Sequence, residues 1–75
     1  MDKYALEIGR RIRGALDKRG MTQRELAERV EITEAAMSRY VSGKRTPGVQ
    51  TLMKMAKELF VPLSDLIPED DQLIP

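Results

Sequence analysis

Apolar residues recur along this chain every three or four positions and almost nowhere every two. Ala5, Ile8, Ile12, Ala15 and Leu16 share one face at that spacing, which predicts an amphipathic helix over residues ~3 to 19. Gly9 and Gly14 weaken it by up to ~1 kcal/mol each relative to alanine, and Gly20 is placed to end it in a left-handed conformation. Leu26, Ala27 and Val30 mark the inner face of a second helix, from about Gln23 to Val30. Met37, Tyr40 and Val41 do the same for a third, from about Glu34 to Ser42. Ser42-Gly43-Lys44-Arg45-Thr46-Pro47-Gly48 reads as a loop. Val49, Leu52, Met55, Ala56 and Leu59 then face the core from a fourth helix, and Pro62 and Pro68 bracket a short fifth, Leu63 to Ile67. With no strand-like alternation, the pattern predicts an all-α bundle of five helices.

The junction between the second and third helices carries the most local information. Thr22 and Glu25 have the spacing of a capping box, and Met21 and Leu26 that of a hydrophobic staple across it. The arrangement repeats at Thr33, a second N-cap, with Ile32 and Met37 as its staple and Glu34 where a carboxylate favours the helix dipole. About two or three residues separate the helices, so they must cross steeply, as in a helix-turn-helix.

Composition narrows the chemistry. Seventy-five residues form one small domain with no room for a deep, walled active site. No Cys and no His excludes disulfide staples, thiol catalysis and Cys/His metal ligation, and no cofactor is expected. Nothing resembles a signal peptide and no apolar run approaches the ~20 residues of a membrane span, which favours a cytoplasmic protein with no membrane partner. The Met residues at 21, 37, 53 and 55 read as apolar filling. The net charge of +1 conceals segregation. Residues 1–67 form the domain; residues 68–75 form a tail holding Glu69, Asp70 and Asp71 and no base, so 13 bases face 9 acids in the body. Residues 39 to 57 carry Arg39, Lys44, Arg45, Lys54 and Lys57 without an acid, and residues 10 to 24 carry six bases against Asp17 alone. A basic run is ordinarily a solvated face, and Glu25, Glu28, Glu31 and Glu34 lie between the two clusters, so charge by itself only leans toward nucleic acid.

The third helix has side chains that can read duplex DNA. Glu34, Ala35, Ser38, Arg39 and Ser42 fall opposite its apolar face. Arg39 can pair bidentately with guanine, Glu34 can accept from the cytosine amino group, and Ala35 can lie against a thymine methyl; Ser38 shares the row of base-edge candidates. The bland alternative is the solvent side of a surface helix, and for Ala35 that alternative stays open. Phosphate candidates lie at the margins. Gln23 sits at the positive end of the second helix, Thr33 precedes the third, and Ser42, Lys44 and Arg45 follow it.

The segments Ile8-Gly9-Arg10-Arg11-Ile12-Arg13, Gly20-Met21-Thr22-Gln23-Arg24-Glu25-Leu26-Ala27 and Met37-Ser38-Arg39-Tyr40-Val41-Ser42-Gly43-Lys44-Arg45-Thr46-Pro47 resemble the Cro/repressor-type (lambda-repressor-like, XRE) helix-turn-helix domains. Thr51 to Lys57 and Val61 to Leu66 extend the resemblance, which covers residues ~4 to 67. It implies a five-helix lambda-repressor-like bundle, a sequence-specific transcriptional regulator reading the major groove with helix three, and usually a homodimer on a near-palindromic operator. On matching positions it puts Gln23 at a phosphate and Glu34, Ala35 and Arg39 at base edges. This chain departs from the family where Glu31 and Phe60 replace frequent glycines, and where Leu16 and Val41 replace a frequent Arg–Glu pair between helices one and three. A side chain at position 31 implies either a strained dihedral or a different turn.

Met53 and Phe60, seven residues apart, form a second apolar stripe on helix four and, with Val61 and Pro62, are the expected dimer interface. The alternative is that Phe60 folds back into the core. Two rival readings of the whole chain exist. An enzyme lacks a nucleophile–base pair here. A protein-binding module, such as an antitoxin holding a toxin, would have a docking element in Glu69-Asp70-Asp71 with Leu73 and Ile74; that tail is otherwise a frayed, solubilising end.

Overall fold

A computed structural model describes residues 2–68; the acidic run and the Leu73–Ile74 pair lie outside the described residues. It contains α1 (Lys3–Arg19), α2 (Gln23–Arg29), α3 (Glu34–Val41) and α4 (Val49–Leu59), followed by a 3-10 turn, Leu63–Asp65. There is no strand among the described residues. The fold is the all-α, lambda-repressor-like one.

Local chemistry sets the helix starts. Asp2, Thr22 and Thr33 each accept a hydrogen bond from a backbone amide at the head of α1, α2 and α3 respectively. At α2 the capping box is complete: Glu25 N donates to Thr22 Oγ1 at 3.0 Å and Thr22 N to Glu25 Oε1 at 3.1 Å. The helix ends share one device. Gly20, Glu31, Gly43 and Phe60 all take positive φ, and the amide that follows each reaches back across the last turn. The bonds are Met21 N to Leu16 O, Ile32 N to Ala27 O, Lys44 N to Arg39 O and Val61 N to Ala56 O, each at 3.0 Å, the Schellman pattern. Three of those following residues, Met21, Ile32 and Val61, pack against the core, so each stop also anchors the chain.

The core comprises Ile8, Ile12, Ala15 and Leu16 of α1, Leu26 and Ala27 of α2 with Val30, Met37 and Val41 of α3, Leu52, Met55, Ala56 and Leu59 of α4, and Leu66. No polar or charged side chain is buried among the described residues. Leu16 and Val41, at 3% and 6% exposure, occupy this cluster in place of a polar link. Exchanging both members of a buried ion pair for packed apolar groups is tolerated where losing one is not. α1 approaches α3 closely at Gly9, where an added Cβ would fall on the Val41 carbonyl oxygen and lie 2.8 Å from that of Tyr40.

Three expectations are corrected. The fifth helix is a single 3-10 turn, because Pro68 disfavours helical geometry at Ile67 and the four residues left before it hold little more than a turn. The turn still delivers Leu66 to the core at 0% exposure. Val49 is 60% exposed, being the first residue of α4 and at the edge of its apolar stripe. Tyr40 is half-buried, packed against the core from its margin. Pro68 itself is buried.

Candidate nucleic-acid interface

α3 is held on one side and open on the other. Met37 and Val41 anchor it in the core, while Glu34, Ala35, Ser38 and Arg39 are exposed along its outer side. α2 packs across α3, and four residues, Val30 to Thr33, join them. Glu31 makes so short a link feasible by adopting φ 61°, the left-handed conformation usually left to glycine.

Of the expected phosphate candidates, Thr33 lies at the head of α3 and Ser42, Lys44 and Arg45 at its C-terminal end, while Gln23 lies at the head of α2. Thr33 Oγ1 accepts from Ala36 N at 3.0 Å, which spends a lone pair and leaves the hydroxyl proton free to donate outward. Gln23 is the first residue of α2 and half-buried. Beyond α3 the chain folds back on the Arg39 carbonyl, which accepts from Lys44 N at 3.0 Å and Arg45 N at 3.3 Å. Those bonds hold Lys44 and Arg45, both exposed, beside the C-terminal end of the helix. Gly43 lets the loop close by packing on Leu6 of α1, where any Cβ would collide at 2.6 Å. The Ser42 hydroxyl donates to the same Arg39 carbonyl at 3.2 Å, so it must leave that bond to donate to a phosphate.

Ion pairing separates the two basic clusters. Arg10 and Arg11 pair with Glu7, and Arg24 with Glu28. Arg39, Lys44, Arg45, Lys54 and Lys57 have no ion pair among the described residues. Their charge is available to an anionic partner, whereas part of the first cluster stabilises its own helices. The start of α4 at Val49 was legible in the sequence, but it was not among the expected phosphate candidates. Gly48 caps it without a side-chain hydrogen bond and no acid occupies its first turn, so its open amides extend the positive margin that follows Arg45. The legible signal was a glycine where the other helices have Asp or Thr.

On the flank of α4, Met53 is 54% and Phe60 71% exposed, with Pro62 exposed and Val61 half-buried. Phe60 does not fold into the core; its ring lies under the Arg19 guanidinium, 4.4 Å from centroid to Cζ.

A helix-turn-helix family model, HTH_3, matches residues 12–66. The chain belongs to that family. The HTH-type transcriptional regulator ImmR of Bacillus subtilis (strain 168) is 32% identical over 66 residues, 88% of this chain and 52% of ImmR, so this HTH_3 chain spans about half the length of that relative. Solved structures share the fold. The S. venezulae BldD DNA-binding domain matches with a TM-score of 0.77 at 25% identity, covering 89% of this chain and 100% of that one. The restriction-modification controller protein C.AhdI from Aeromonas hydrophila matches with a TM-score of 0.79 at 21% identity, covering 84% and 96%.

Proposed function

We propose that the chain is a DNA-binding transcriptional regulator, acting as a repressor, that inserts α3 into the major groove of duplex DNA. The observation that carries this reading is the outer face of α3: Glu34, Ala35, Ser38 and Arg39 exposed on a helix fixed by its other face, with unpaired Lys44 and Arg45 beyond its end. Arg39 supplies guanine recognition, and Gln23, Thr33, Ser42, Lys44, Arg45 and the open amides of α4 hold phosphates. Two copies joined through Met53, Phe60, Val61 and Pro62 read a near-palindromic operator. The names of the HTH-type regulator ImmR and of the BldD DNA-binding domain support the same assignment.

The test is to select bound sequences from a random duplex pool and then compare variants on the winner and on random DNA. Arg39→Ala should lose about 1 to 3 kcal/mol on the selected site and relax preference at one base pair, whereas Lys44→Ala should weaken all sequences alike and flatten the salt dependence. Equal losses for Arg39→Ala on selected and random DNA would remove it from base recognition.

A further inference from the structure

Glu34 carries a negative charge on a surface that must approach phosphates, and the structural task it has among the described residues is to favour the positive end of the α3 dipole. Two other glutamates of the α2–α3 unit are employed, the Glu25 carboxylate accepting from the Thr22 amide and Glu28 pairing with Arg24 at 3.7 Å, while Glu31 lies in the turn between the helices and not on α3. The Glu34 side chain makes no hydrogen bond or ion pair among the described residues. The N-cap of α3 is already supplied by Thr33, and the residues one turn along are Met37 and Ser38, so no cation on its helix neutralises it. The only base on α3, Arg39, is five positions away, at the opposite edge of the same outer face.

An ionised carboxylate offers acceptors only. In the major groove, guanine presents two acceptors and thymine an acceptor with a methyl group. Adenine sets an acceptor beside its amino group, so one carboxylate oxygen is repelled while the other is bonded. Cytosine alone presents an amino donor without an adjacent acceptor. Against any other edge, Glu34 would be a desolvated, unpaired charge near phosphates, which is costly.

Resting on the reading of α3 as the groove helix, we infer that Glu34 is a specificity-determining residue that works mainly by exclusion. It demands a cytosine amino group at one position of each half-site and rejects sites without it. Binding is therefore sensitive to chemical modification of that amino group. N4-methylation of the cytosine keeps Watson–Crick pairing but turns the methyl into the major groove, replacing the donor that Glu34 needs.

Sites are selected from a random duplex pool by the full chain and by its Glu34→Ala and Glu34→Gln variants, and a site chosen by the unaltered chain is resynthesised with N4-methylcytosine at the assigned position. The unaltered chain should enrich cytosine there. Glu34→Ala should lose that preference while keeping the others, and should bind random DNA at least as tightly as the parent. Glu34→Gln, with a donor and an acceptor, should move the preference to adenine. N4-methylcytosine should weaken the unaltered chain roughly tenfold or more and leave Glu34→Ala unchanged. Identical selected sequences for the parent and Glu34→Ala, or equal sensitivity of both to the methyl group, would overturn the inference while leaving the groove reading standing. A pool that enriches no sequence for any of the proteins would overturn the groove reading itself, and this inference with it.

Discussion

Glu31 and Phe60, at φ 61° and 58°, are the only non-glycine residues with positive φ among those described, and both close a Schellman turn. A side chain in that conformation costs roughly 1–2 kcal/mol, part of which glycine gives back through its larger freedom in the unfolded chain. Glu31→Gly should therefore raise stability by about 0.5–1 kcal/mol, read as a higher urea midpoint at unchanged slope. A lower midpoint would show that the Glu31 side chain contributes more than its backbone strain removes. Phe60→Gly relieves the same strain but loses the Arg19 contact, so its gain should be smaller. The sequence left two outcomes at position 31, a strained dihedral or a different turn. The choice went to strain because Ile32 must reach both the Ala27 carbonyl and the core, and a left-handed residue at 31 provides both. The exposed row on α3 was legible because helical periodicity fixes which residues share a side. What periodicity does not reveal is hydrogen-bond occupancy, and so the engaged hydroxyl of Ser42 and the free proton of Thr33 emerged only from the geometry.

At the scale of elements, α1 contains two interior glycines with opposite surroundings. An added Cβ at Gly9 meets the backbone of Val41 and Tyr40, whereas at Gly14 it meets nothing within 4 Å. The same change should thus have opposite signs in one helix. Gly14→Ala should stabilise by about 0.5–1 kcal/mol through helix propensity. Gly9→Ala must push α1 off α3 and should destabilise by roughly 1–3 kcal/mol. Thermal unfolding of the two variants side by side checks this, and two shifts of the same sign would contradict the assigned α1–α3 packing. Leu16→Ala, which empties a buried apolar site, should cost about 2–4 kcal/mol. Both glycines read alike in the sequence, since propensity is local while the approach of α3 is not. Caps were readable for the converse reason: Thr22 and Glu25, or Thr33 and Ala36, lie three residues apart. The segment after Pro62 was harder, because helical and 3-10 geometry over a few residues satisfy nearly the same bonds. Leu66 and Pro68 decide between them.

For the whole molecule, the proposed dimer and the proposed DNA contact should respond to salt in opposite directions. A two-fold interface apposes the same patch from both copies. The patch here has Met53 and Phe60 as its apolar surface, with Lys54, Lys57 and Arg19 nearby and, among the described residues, no ion pair on any of the three. Each half therefore brings its cations toward those of the other, and the repulsion weakens as the screening length falls from ~10 Å at 0.1 M salt to a few ångströms near 1 M. Raising salt should tighten self-association while burial of Met53 and Phe60 holds the copies together. DNA binding should weaken over the same range, since Lys44 and Arg45 release counterions from phosphate. Sedimentation equilibrium across that range, with Met53→Asp and Phe60→Ser as controls, checks the first arm; a fluorescence titration of labelled duplex checks the second. Self-association that loosens with salt would point to an interface built on opposite charges elsewhere on the surface. Controls that remain folded and dimeric would exclude the flank of α4 outright. If both arms hold, two recognition helices stand about 34 Å apart on one face, and the half-sites of the operator must be spaced by roughly one turn of the duplex.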